Sequence, residues 1–275
     1  MSGAVLPEAP DAEFVALTRK ISTERGFACG SYKERCLRRR IAVRMRAKGV
    51  HTYRDYMRAL DSDADEYERL LEALTINVTK FFRNGDVYEA MARIVVPELW
   101  SRRERVRVWS AGCASGEEPY SIGALFHRHA RERQQLERLS TLEIVATDID
   151  ARILEMARAG RYEASAFTET PADLRAAYFS SGTPATVLPE VRGLVTFARH
   201  DLLCDPPPRS AFELIVCRNV IIYFDRESQE MLFERFVQAL APGGYLVLGK
   251  VETLLGTARA ALESIEPRAR IFRRP

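Results

Sequence analysis

Along the first 75 residues, apolar side chains recur at steps of three and four: Phe14, Leu17 and Ile21, then Leu37, Ile41 and Met45. That spacing gathers them on one face of a helix and leaves no alternating run, so residues 11–74 read as all-α. One helix is expected over residues 32–48. Ser31 with Glu34 three positions on has the form of a capping box, and Gly49 stands where a left-handed C-cap falls. After Leu74 the rhythm changes. Short apolar and β-branched runs at residues 105–110, 142–147, 194–198, 213–217 and 245–249 alternate with helical stretches, the pattern of a mostly parallel sheet covered by helices. Between Gly160 and Arg199 the alternation lapses. Pro171, Gly182, Pro184, Pro189 and Gly193 break up short polar pieces, so a small inserted β subdomain is expected over about residues 162–196. The chain thus divides into residues 1–75, a helical domain, and 76–275, an α/β domain.

Composition changes this picture little. With 275 residues, 47% of them hydrophobic, both domains can bury a core. A net charge of +3 does not call for a nucleic-acid partner, although Lys33, Arg35, Arg38, Arg39, Arg40, Arg44, Arg46 and Lys48 line the exposed flanks of one expected helix. On the residues alone, a solvated face is the preferred reading of such a run over a recognition surface. The five cysteines are odd in number and contain no Cys-x-x-Cys pair, so a reduced, cytoplasmic chain without structural metal is expected. The Met1–Pro10 stretch has no basic region followed by an apolar core, and no run approaches a membrane span, so any membrane association is expected to be indirect.

The chemistry concentrates in the second part. The run Val106–Tyr120 passes from a β-branched strand through Gly112-Cys-Ala-Ser-Gly116 into Glu117, Glu118 and Pro119. Small residues allow a ligand close to the backbone, and a helix N-terminus offers unpaired N–H groups. The loop has neither three spaced dinucleotide glycines nor a phosphate-binding lysine. Its acidic helix start repels phosphate but suits a ribose or an ammonium group, as in an amino-acid-bearing nucleoside; a merely stabilising acidic first turn is equally consistent. Asp148 ends the next apolar strand where a carboxylate takes two ribose hydroxyls, while Asp150 suits the cap of the following helix. His200-Asp201-Leu202 follows a further strand. Asn77, Thr79 and Arg83 supply polar groups on a linker that Phe81 and Phe82 anchor, although Asn77 or Thr79 also suits a helix cap. The buried-looking strand ending at Cys217 delivers Arg218 and Asn219 to the carboxyl edge of the sheet, and Tyr223 follows within a short turn.

Residues 77–83, Ala114-Ser-Gly-Glu-Glu-Pro-Tyr-Ser121, Thr147-Asp-Ile-Asp150 and Cys217-Arg-Asn-Val-Ile-Ile-Tyr-Phe-Asp225, in this order, resemble the CheR-type chemotaxis methyltransferases over nearly the whole chain. The resemblance implies a Rossmann-like S-adenosylmethionine-dependent domain with a small inserted β subdomain behind an N-terminal all-α domain. It implies cofactor contacts at Asn77, Thr79, Arg83, Glu118, Asp148, Asp201, Leu202, Arg218 and Asn219, with S-adenosylhomocysteine as product. Arg83 and Tyr223 are the implied catalytic residues near the transferred methyl group. The implied reaction esterifies glutamate side chains on chemoreceptor cytoplasmic domains, met through the basic helix, by a cytoplasmic monomer with no nucleic acid or membrane insertion. A methyltransferase for another protein carboxylate or for RNA, or a cofactor-binding module without turnover, are the alternatives. Three departures stand out: Asp201 where asparagine is common, Gly249-Lys-Val-Glu252 in place of Gly-His-Ser-Glu, and a single glycine in residues 180–190. The last counts against docking of a receptor-tail peptide, because tail-binding members have a glycine-rich loop there.

Overall fold

The computed structural model describes residues 11–75 and 77–275; the Met1–Pro10 stretch lies outside the described residues. They fall into two compact units divided between Ile76 and Asn77. The first is built from α1 (Ala12–Arg25), α2 (Glu34–Lys48), α3 (Tyr53–Ser62) and α4 (Ala64–Leu74). Phe14, Leu17, Ile21, Leu37, Ile41, Met45, Tyr56, Leu60, Leu70 and Leu74 form its buried face, as the three- and four-residue spacing requires. Side chains of Asp11, Thr52 and Asp63 cap α1, α3 and α4, and Gly26 and Gly49 close α1 and α2 in the left-handed conformation.

The N-terminus of α2 departs from expectation. Ser31 lies in a 3-10 turn, Cys29–Ser31, and the helix begins two residues later than its spacing to Glu34 suggests, with Lys33 at the cap position. Nor are all eight basic residues on exposed flanks. Arg44 donates through Nε and Nη2 to the buried carboxylate of Glu66 at 3.1 and 2.6 Å, Arg40 donates to the Ala73 carbonyl, Arg38 pairs with Glu34, and Lys48 pairs with Asp63. A buried acid needs a partner, and the arginine stem reaches it while covering apolar surface.

In the second unit, α5 (Gly85–Ala90) passes through one π-turn into α6 (Val96–Arg102), followed by β1 (Val106–Ala111), α7 (Glu117–Glu132), β2 (Leu142–Asp148) and α8 (Ala151–Ala159). Then come β3 (Arg161–Tyr162), α9 (Ala172–Tyr178), β4 (Ala185–Thr186), α10 (Pro189–Arg192) and β5 (Val195–Arg199). The chain ends with β6 (Phe212–Cys217), α11 (Arg226–Ala239), β7 (Leu240–Leu248), α12 (Ala258–Ala261), β8 (Glu263–Glu266) and β9 (Ile271–Arg273). Seven strands form one sheet in the order β5-β2-β1-β6-β7-β9-β8. The first five are parallel; β9 runs antiparallel to β7 and to β8. Strands β1, β2 and β6 carry Val106, Val108, Ile144, Ala146, Leu214 and Val216 into one continuous core.

From β1 the chain moves outward through β2 to β5, then returns to place β6 on the other side of β1. Crossovers diverge at that reversal, so a crevice opens at the carboxyl ends of β1 and β6. The inserted segment contains the two-stranded antiparallel β3-β4 sheet, but most of its ordered residues are in α9, α10 and a 3-10 turn, and its last two residues belong to β5.

Candidate functional site

The loop after β1 is shaped by two close approaches. Gly112 has φ +82°, and a Cβ there would stand 2.5 Å from Val220 Cγ2; Gly116 has φ +96°, and its Cβ would meet Ala157 Cβ at 2.9 Å and the Tyr162 hydroxyl at 3.1 Å. No side chain fits either position. Backbone N–H groups of Gly112 and Cys113 donate to the Thr147 carbonyl, and Ala114, at φ +47°, donates to Asp148 Oδ2 at 2.9 Å. Asp148 Oδ1 accepts the Asp150 N–H at 3.1 Å. Burial raises this carboxyl, while the backbone donors oppose the shift. A carboxylate has about four acceptor sites, so these backbone donors do not exhaust its capacity.

Asp150 caps α8 by accepting from Arg152 and Ile153, and its other oxygen accepts from Asn77 Nδ2 at 3.0 Å. Thr79, two residues further on, is half-buried. No helix begins at Asn77 or Thr79; the next one starts at Gly85. Instead, residues 81–84 are tied down bond by bond. Phe81 N–H donates to the Ala166 carbonyl, Phe82 N–H to Ser121 Oγ, and Asn84 N–H to Glu169. The Phe81 ring stacks on Phe167 and packs edge-on to Tyr162 and Phe179. Phe82 and Asn84 both adopt positive φ, at +53° and +60°, a strained pair that surrounding contacts must hold.

Arg218 provides the central hold. Its side chain is buried at the end of β6, its Nη2 donates to the Arg83 carbonyl at 2.7 Å and to Asn84 Oδ1 at 3.1 Å, and its Nη1 lies 3.8 Å from Glu118 Oε2. Glu118 is itself buried in the first turn of α7 and accepts from Ser110 Oγ at 2.8 Å. Burial pushes its carboxyl up to about 7, with Arg218 and the Ser110 hydroxyl opposing. Its neighbour Glu117 is turned to a local bond with Ser115 Oγ at 2.6 Å, so geometry gives a physical ground for separating two acids that only the resemblance tells apart. Arg83 is half-buried as a residue, and its guanidinium makes an exposed bond to the Val78 carbonyl at 3.0 Å.

The remaining expected residues line the same edge. His200 N–H donates to the Asp148 carbonyl, which sets Asp201 and Leu202, both buried, beside the end of β2. Asp201 Oδ1 accepts the Leu203 N–H at 2.8 Å, so the carboxylate standing for asparagine caps its own turn. Asn219 follows Arg218 at φ +62°, and Tyr223, half-buried, ends the 3-10 turn Ile221–Tyr223. One residue was not singled out from sequence: Glu252, buried just beyond β7, accepts four backbone N–H groups. Its sequence signal is its place as the unchanged acid of Gly249-Lys-Val-Glu252, where Lys250 is the conspicuous departure.

Lys250, the other departure, points elsewhere: its Nζ lies 2.7 Å from Asp86 Oδ2 near the start of α5. Both groups are exposed, and exposed pairs contribute about 0.2–1 kcal/mol. Lys250→Met is therefore expected to lower Tm in a thermal scan by no more than about 3 °C; a larger drop would refute the view that the pair is peripheral.

Taken together, the strand ends present Asp148 after β2 and Glu118 beside the buried Arg218, with no lysine among them. Such a set disfavours a polyphosphate and suits a ribose diol plus a positively charged group. Residues 77–270 match the family model for the CheR methyltransferase, SAM binding domain, and residues 12–75 match that for the CheR methyltransferase, all-alpha domain. A chemotaxis protein methyltransferase of Listeria innocua is 35% identical over 260 residues, covering 93% of this chain and 96% of its own. One from Klebsiella aerogenes is 34% identical over 261 residues, covering 90% and 86%. A 104.1 kDa Rhodobacter capsulatus protein of uncharacterised role is 38% identical over 228 residues, 82% of this chain and 24% of its own.

Proposed function

This chain belongs to the CheR methyltransferase family, and we propose on that premise that it methylates glutamate side chains of a chemoreceptor cytoplasmic domain, in the cytoplasm. S-adenosylmethionine is its cofactor, and when bound it supplies an electrophilic methyl group on a sulfonium. The residues at the sheet edge fit that molecule. Asp148 has acceptor capacity beyond its backbone donors that a ribose diol would take up, with Asn77 and Thr79 on the linker alongside and Asp201-Leu202 on the adenine side. Glu118 has the charge and place to receive an ammonium, which would draw the carboxyl into its ionised form.

No general base is needed, because a glutamate acceptor with an ordinary pKa of about 4.3 is already ionised at neutral pH. What the protein must supply is alignment and removal of water. The observation that carries the reading is the pinned linker: Arg218 grips the Arg83 carbonyl and the Asn84 side-chain oxygen, a hold that would present the Arg83 side chain to the crevice, where it would orient the acceptor carboxylate. Tyr223 would hydrogen-bond near the reacting oxygen. Arg83→Ala is expected to lower methyl-ester formation about tenfold or more while leaving Tm nearly unchanged, since the guanidinium's bond to the Val78 carbonyl is exposed. Equal rates in a quantitative transfer assay would remove Arg83 from the reaction.

For the partner, α2 supports recognition more narrowly than its composition suggests. With Arg38, Arg40, Arg44 and Lys48 engaged inside the first unit, Arg35, Arg39 and Arg46 are exposed on one stripe of the helix, suited to an acidic helical surface. The deciding experiment incubates the protein with labelled S-adenosylmethionine and receptor cytoplasmic domains, then measures alkali-released methanol. Label that is released supports glutamate esterification; label that resists alkali, or none incorporated, overturns it.

A further inference from the structure

The carboxylate of Glu252 sits where the segments that follow β6 and β7 meet. Its Oε2 accepts from Gly249 N–H at 2.6 Å and Asn219 N–H at 3.1 Å, and its Oε1 accepts from Val220 and Ile221 N–H groups, both at 3.0 Å. The β6-β7 ladder ends at Cys217 and Leu248, so the three N–H groups from Asn219 to Ile221 have no strand partner beyond it. One side chain supplies all three, and it is only 3% exposed. The packing around it is close: a Cβ on Gly249 would stand 2.7 Å from Glu252 Oε2 and 2.9 Å from the Asn219 nitrogen. Val220 in turn abuts Gly112 of the β1 loop.

This concentration of bonds is not required to pair the strands. Five register pairs already join β6 to β7, and every residue of β6 is buried. What the carboxylate fixes is the shape of a turn that holds Asn219 at φ +62° and ends at Tyr223. An unpaired N–H at such a turn would cost roughly 1–3 kcal/mol, and a charged acceptor binds N–H groups about twice as strongly as a neutral one.

We propose that Glu252 is a positioning residue for methyl transfer: through its four N–H bonds it sets the turn Asn219–Tyr223 in the shape that places Tyr223 at the reacting groups. The inference rests on the proposed esterification reaction. Glu252→Gln tests it, because the isosteric amide keeps one acceptor oxygen but turns an NH2 toward two of the converging donors. Three quantities are measured on the full chain: kcat with a receptor cytoplasmic domain, Kd for S-adenosylmethionine by calorimetry, and amide exchange across residues 217–224. The expected result is a kcat loss at least tenfold larger than the rise in Kd, with faster exchange confined to that turn.

Unchanged kcat, an equal loss in both quantities, or faster exchange throughout the unit would overturn the assignment. A wild-type protein that forms no methyl ester would overturn the proposed reaction and this inference with it; an active wild type with an equally active E252Q would overturn the inference alone. Should E252Q fail to fold, Glu252→Asp, which keeps the charge on a shorter reach, is judged by the same criteria. If neither folds, Glu252 is a determinant of the fold and the assignment falls.

Discussion

Arg218→Met is expected to destabilise the protein by about 3–5 kcal/mol, the cost of removing one member of a buried ion pair. The arginine compensates the buried Glu118 carboxylate and donates to the Arg83 carbonyl and Asn84 Oδ1. Methionine fills much of the volume but leaves both acceptors unpaired and the acid without its counter-charge. Its linker, already strained at Phe82 and Asn84, would lose its hold from β6, so cofactor affinity should fall together with stability. In a unit of this size the loss corresponds to a drop in Tm of about 10 °C. Urea unfolding at pH 8, where Glu118 is ionised, gives the full effect; at pH 5.5, where it is mostly protonated, the loss should be smaller. A loss under about 1 kcal/mol at both pH values would show that the network is dispensable.

Glu118→Gln should act in the opposite sense on stability. Burial raises the folded-state pKa of this acid from 4.5 to about 7, so the folded protein binds its proton more tightly than the unfolded chain does. The group therefore stabilises the fold fully below pH 4.5, and that contribution is lost as pH rises through about 7, by on the order of 3 kcal/mol. Glutamine keeps the Ser110 bond without the ionisation. Without cofactor, E118Q should be more stable than the wild type at pH 8, with the two converging near pH 5. Affinity for S-adenosylmethionine should move the other way, weakening about 10- to 100-fold at pH 8 as the ammonium loses its carboxylate. Calorimetric titration across pH 5.5–8.5 measures both trends. Parallel stability curves, or undiminished affinity, would remove Glu118 from this role.

These two residues illustrate what was legible early. Glu118 and Arg218 stand at the first helical turn and at the strand end where an open parallel sheet must bind its ligand; the strand pattern located Arg218, and the small-residue loop with the family resemblance located Glu118. Their partnership was not legible, because exactitude of approach between residues 100 positions apart in sequence comes only from the β1-β6 pairing. The first turn of α2 was misplaced for a related reason: Ser31 and Glu34 have capping spacing, but the 3-10 turn at residues 29–31 occupies the chain first. Strands β8 and β9 escaped notice because they are only four and three residues long: β8 is a polar edge strand, where burial imposes no apolar run, and β9, though it buries Ile271 and Phe272, is too short to show a period.

Sequence by itself determined the two-part organisation, the central parallel strands, the small-residue loop and the acids at the sheet edge, since each follows from short-range spacing and from the steric needs of a chain approaching a ligand. Tertiary structure alone decided which of two adjacent glutamates faces Arg218, which arginines of α2 are consumed internally, and that Glu252 holds the turn before Tyr223. Those outcomes depend on long-range contacts in a buried, low-dielectric setting, where a carboxylate's partners are set by the fold that brings them within reach.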